Sequence, residues 1–198
     1  MPKKEVPDFV KKIREQSGSI DDAVKVILTK NGVMEPPINV IKIADSMGIK
    51  VFSVEFTDPN VKGAIADFKS PMPQFNGEQR IIAVDKKSYA TRKIFTIAHE
   101  IGHFVMHCGE SNDFFERDVY ESNEEKKNSE DNRNSIEKDA DKFAASLVMP
   151  KDMFIDFVEN SPYYIIRDKQ NLVQEICKKF IVAEKAAKKR LKEVGMDF

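Results

Sequence analysis

The chain is poor in the residues that usually announce chemistry, with only three histidines and two cysteines among 198 residues. Cys108 and Cys177 form no CxxC pair and are too few for a disulfide framework, so free thiols in a reducing cytosol are expected. No apolar stretch approaches the roughly 20 residues that a bilayer-crossing helix needs. The N-terminal MPKKEVPDFVKKIREQ has lysines without an apolar run behind them and does not read as a secretory signal. Charge of one sign is also lacking: the formal net charge is −1, which argues against a broad nucleic-acid-coating surface. What is present is a soluble profile, long enough to bury a core, of one domain or one domain with a small appendage.

Apolar periodicity divides the chain. Residues 6–16 and 19–32 read as helices, the second opened by a capping pair, Ser19 and Asp22, and closed at Gly32. After Pro36-Pro37, the segment INVIKIADSMG places Val40, Ile43, Ala44 and Met47 on one helical face. The period then shortens, and IKVFSVEF (49–56), GAIADF (63–68) and RIIAVD (80–85) read as strands joined by short connections, hence a small, mostly antiparallel sheet. A helical stripe returns from Ser88 to Cys108 with Ile94, Ala98, Ile101 and Val105. Residues 121–135 contain nothing apolar and read as a mobile polar insertion. A helix from about Ile136 to Pro150 follows, and residues 171–180 and 183–195 resemble a helix–turn–helix pair with a basic second helix. The expected class is α+β, with a helical N-terminal segment (1–35), a central domain (36–155) and a C-terminal helical segment (156–198).

All three histidines fall in HEIGHFVMH (99–107). Residues four apart on a helix are neighbours one turn apart, so His99 and His103 can converge on one ion, while Glu100 can reach a water bound to it without being a ligand. His107 lies eight residues from His99, a helical rise of about 12 Å, too far to share that ion. In motifs where a third histidine ligates, it lies six residues past the second, and that position here is Gly109. The third ligand should therefore be a carboxylate.

Glu137, Asp139 and Asp141 are the candidates. Glu137 and Asp141 share a helical face, so one can bind metal while the other accepts a hydrogen bond from a ligand imidazole. Geometry alone does not choose between them; the longer reach of glutamate favours Glu137. Two histidines and a carboxylate suit zinc first, with manganese or iron also compatible. Tyr163 and Tyr164 are candidates for stabilising an oxyanion, by their place just past this block.

The blocks RKIFTIAHEIGHFVMH (92–107) and EKDADKFAASLVMP (137–150) resemble the ImmA/IrrE family of zinc metallopeptidases. The resemblance spans roughly residues 36–155. It implies a zincin-like core, His99, His103 and Glu137 as zinc ligands, and Glu100 as catalytic base. Asp139 stands where the family usually has glutamate, and Val148 departs from its LLMP tail. The resemblance further implies a cytoplasmic bacterial or phage protease that cleaves a helix–turn–helix repressor of a mobile element or stress operon. The competing expectation is a metal-binding regulator that engages a repressor or DNA without cutting. The basic helix motivates it, although lysine-rich helices are ordinarily solvated faces and direct DNA contact is not the favoured reading.

Overall fold

The computed structural model describes residues 6–67, 73–109 and 130–196. Three short helices open the chain: α1 (Asp8–Glu15), α2 (Ile20–Lys30) and α3 (Val40–Ser46). Ser19 caps α2, its Oγ accepting the Asp22 N–H at 3.1 Å, so the capping pair read from sequence is in place. Val40, Ile43, Ala44 and Met47 are all buried, as their spacing requires.

Strands β1 (Lys50–Val54), β2 (Gly63–Asp67) and β3 (Arg80–Asp85) form one sheet in the order β1-β3-β2. The strands are the expected ones, but the sheet is mixed: β3 is parallel to β1 and antiparallel to β2. The reason is connectivity, since β3 inserts between its two predecessors and β2 is displaced to an edge. Phe68, the last residue of the expected second strand, lies outside the described residues. The Asp85 N–H donates to the Lys62 carbonyl at 3.0 Å, and Gly63 stands opposite Val84. Alternate residues of an antiparallel strand bond inward, so residues 62, 64 and 66 hold the ladder. The backbone N–H and C=O of Gly63 and Ile65 face the outer edge, where no described strand pairs with them.

Helix α4 (Ala90–His107) packs beneath β2 and β3, and α5 (Glu130–Val148) packs against α4. Ala98, Ile101 and Val105 of α4 and Phe143, Ala144, Leu147 and Val148 of α5 are buried in one continuous core. The polar insertion expected at 121–135 lies over 121–129 outside the described residues, whereas 130–135 form the first turns of α5. These residues carry no apolar period, but they continue a backbone ladder that the packed half of α5 anchors.

The chain closes with α6 (Lys151–Glu159), α7 (Pro162–Ile165), α8 (Lys169–Phe180) and α9 (Glu184–Glu193). Arg190 of the basic helix α9 is only 5% exposed. Its Nε donates to the Met149 carbonyl at 3.1 Å and its Nη2 to Asp21 Oδ1 at 3.2 Å, while Ser146 donates to the same Asp21 oxygen at 2.7 Å. Lys188 and Lys189 pair with Glu184 and Glu193 on their own helix. Thus α9 turns its arginine inward, tying the C-terminal helices to α2 and to the end of α5. The first helix is tied as well, with Arg14 donating to the carbonyls of Val105 and Cys108 at 2.7 and 3.1 Å. Both cysteines are free thiols, and no helix among the described residues is long and apolar enough to cross a membrane.

Candidate functional site

The site is built where α4 crosses α5. Helical spacing places His99 and His103 one turn apart on α4, and their Nε2 atoms approach to 2.8 Å. Glu137, on the facing side of α5, turns one carboxylate oxygen to each: Oε2 is 3.2 Å from His99 Nε2, and Oε1 is 3.4 Å from His103 Nε2. Tetrahedral ligands of a single zinc ion lie about 3.3 Å from one another. The three residues can therefore hold a divalent cation, and they form a metal-capable group among the described residues.

Asp141, one turn beyond Glu137, accepts a hydrogen bond from His99 Nδ1 at 3.0 Å. An ionised carboxylate can only accept, so the Nδ1 proton points at Asp141, and Nε2 is the nitrogen turned to the cluster, where a bound metal would take the place of its proton. The sequence left Glu137 and Asp141 open for the two roles. In the fold Glu137 faces both Nε2 atoms, whereas Asp141 sits behind His99.

The electrostatics favour a positive charge at this point. Burial works against protonating His99, but hydrogen bonds to Asp141 and Glu137 and the nearby charge of Glu100 outweigh it and push the imidazole up to about 10. Hydrogen bonds to His103 and His99 hold the Glu137 carboxyl well below the usual carboxylate range, against the opposing effect of burial. The Glu137 side chain is nevertheless 60% exposed, so the cluster opens to solvent on that side, while Glu100 and His103 are buried behind it.

His107 stands apart from the group. It is buried one turn beyond His103, and its Nε2 lies 3.9 Å from Asp139. Tyr163 and Tyr164 are not brought to the cluster by any described contact: α7 packs on α6 and α8, and both rings lie against the core.

One residue that sequence reasoning passed over shapes the crossing. A Cβ at Gly102 would meet Phe143 Cβ and Cδ1 at 3.1 Å and the Ala140 Cα at 3.2 Å. The bare glycine lets α5 press close enough for Glu137 to reach two imidazoles on α4. Its signal in the sequence was a glycine inside a helix, between the two ligand candidates, where it costs up to about 1 kcal/mol relative to alanine and so asks for a packing reason.

The family model of the IrrE N-terminal-like domain, a peptidase family (M78), matches residues 44–192. No curated protein matches the chain. Among solved structures, a Mycobacterium tuberculosis transcriptional regulator is similar at 18% identity with a TM-score of 0.58. The match covers 97% of this chain and 52% of that one, so the present chain spans about half the regulator's length, and the likeness is one of fold. With the α+β architecture, the paired helices and a family match over most of its length, the chain belongs to the IrrE N-terminal-like family of zincin-like peptidases.

Proposed function

We propose that the protein is a zinc-dependent endopeptidase in which His99, His103 and Glu137 hold the metal and Glu100 is the general base. The observation that carries this reading is the convergence of two Nε2 atoms and one carboxylate beside a buried glutamate. A zinc ion held there would supply a Lewis acid for the scissile carbonyl and would acidify an attacking water. Manganese or iron would suit the same donors less specifically. Glu100 takes the proton from that water and returns it to the leaving amine. Its burial keeps it dry, which strengthens its action on a charge developing nearby. Asp141 holds His99 in the tautomer that offers Nε2.

The outward-facing backbone groups of Gly63 and Ile65 provide an edge on which an extended peptide can pair as an added strand, adjacent to α4. A proline at Ile65 removes one outward N–H; cleavage that survived it would count against this mode of binding.

The substrate we propose is a helix–turn–helix transcriptional repressor, cut in the cytoplasm to derepress a mobile-element or stress-response operon. Family membership and the likeness to a longer transcriptional regulator support a regulatory setting. Direct DNA binding by α9 is not proposed, because its arginine is buried and Lys188 and Lys189 are paired within the helix.

The test is a pairing of wild type with Glu100→Gln against the repressor encoded beside this gene. The variant should keep its zinc and lose cleavage by at least about 100-fold, within the range that general acid–base groups contribute. A Glu100→Gln protein that still derepressed the operon fully would favour a regulator that acts by binding alone.

A further inference from the structure

Strand β2 lies directly on α4, and its first residue, Gly63, sits close against Thr96 and Glu100. On β2, Gly63 and Ile65 share a face, and Ile65 is buried against the core. A side chain at position 63 would therefore also point at α4. A Cβ built there would lie 2.2 Å from Thr96 Cγ2, 3.0 Å from Glu100 Oε1 and 3.5 Å from the Ala83 carbonyl oxygen. The first distance is impossible and the second is tighter than ordinary packing. Thr96 cannot easily swing aside, since a β-branched side chain on a helix has little freedom at χ1. Any side chain at 63 must lift β2 away from α4, displace the Glu100 carboxylate, or do both.

We propose that Gly63 is a positioning residue for the peptidase reaction: its missing side chain sets the spacing between the open edge of β2 and the Glu100 carboxylate. The same residue presents outward-facing backbone groups to that edge, so the place where a substrate backbone would pair and the place where the base is held are one position in the chain. No side chain at 63 touches the reacting atoms. Its effect passes through the seat of Glu100 and the height of the strand, which is why alanine, the smallest change, is the informative one.

This inference rests on Glu100 being the base, and the two can fail separately. If Glu100 is not the base, Glu100→Gln cleaves normally. If only the role of Gly63 is wrong, Glu100→Gln is inactive and Gly63→Ala is normal.

The experiment compares zinc-loaded wild type, Gly63→Ala, Thr96→Ser and the Gly63→Ala/Thr96→Ser double variant. The readouts are kcat and KM on a pool of quenched fluorescent peptides, zinc affinity, and crystal structures of each protein. Gly63→Ala should lower kcat by about 100-fold, the scale on which a displacement of about 1 Å acts, with zinc affinity unchanged. Thr96→Ser deletes the methyl that makes the 2.2 Å contact, so the double variant should regain about tenfold and keep a residual deficit from the contact on Glu100. The crystal structures should show β2 lifted or the Glu100 carboxylate moved in Gly63→Ala and largely restored in the double variant. Wild-type kcat in Gly63→Ala, or unmoved strand and carboxylate, overturns the proposal, and so does a double variant as impaired as the single one. If the pool is not cleaved, the crystal structures decide on the same criteria. If Gly63→Ala does not fold, the double variant is read against Thr96→Ser, and equal kcat or equal Glu100 positions overturn the proposal.

Discussion

The middle and the C-terminal end of α5 hold polar groups of opposite character. At its C-terminal end Ser146 and the Met149 carbonyl meet Asp21 and Arg190, and donors there are matched to acceptors: Arg190 donates to Met149, Asp21 and Glu193, and Ser146 donates to Asp21. Midway along α5 Glu137 meets two imidazole nitrogens, so three groups able to ligate a metal converge on one point. A matched network contributes to folding and needs nothing further. A convergence of ligating groups, open to solvent on the Glu137 side, is suited to a cation. The contrast separates a polar cluster that builds the fold from one suited to hold a metal.

Breaking the histidine–glutamate cluster should have the largest effect. His103→Gln or Glu137→Gln should reduce bound zinc from one per chain to a small fraction after dialysis, measured by elemental analysis, whereas His107→Gln should keep its metal. Asp141→Asn removes only the acceptor behind His99 and should weaken zinc binding by about 10- to 100-fold in a chelator competition. None of these changes should move the melting temperature of the metal-free protein as far as a break at the C-terminal end of α5.

There the expected order reverses. Arg190→Met removes a buried group that donates to the Met149 carbonyl and to Asp21, and should cost about 2–3 kcal/mol in denaturant unfolding while leaving zinc stoichiometry intact. The smallest effect is one of pH. Burial tends to raise the Asp21 carboxyl, but the Ser146 hydrogen bond and Arg190 outweigh it and hold it below its ordinary value. A depressed folded pKa stabilises the fold above the unfolded value of about 3.9, and that contribution is lost as pH falls through the folded pKa. Acid unfolding below about pH 4 should therefore be shallower in Asp21→Asn, as seen by circular dichroism.

The two regions also differ in how far the sequence revealed them. His99, Glu100 and His103 were legible because a four-residue spacing fixes geometry within one helix. The third ligand was less legible, since it lies more than thirty residues away: the shortage of histidines pointed only to a carboxylate, and side-chain reach and the family resemblance favoured Glu137 over Asp141. Arg190 was illegible: a lysine-rich helix looks solvated all round until a distant aspartate and a carbonyl claim one of its side chains. The strands were found with nearly their observed bounds, yet their order was not, because which strand inserts between the others is a non-local choice that periodicity does not encode. The first turns of α5 were hidden for the opposite reason, having no apolar period to reveal a helix that the rest of α5 extends. Gly63 could be read only as a strand residue until the strand was seen lying on Thr96 and Glu100.

The central claim is that one metal ion is held by two helices. The most direct measurement is an anomalous-difference map, recorded at the zinc edge, from crystals of the zinc-loaded protein. A single peak bounded by His99 Nε2, His103 Nε2 and the Glu137 carboxylate is the predicted result; a peak at His107, or no peak beside His99 and His103, would contradict it.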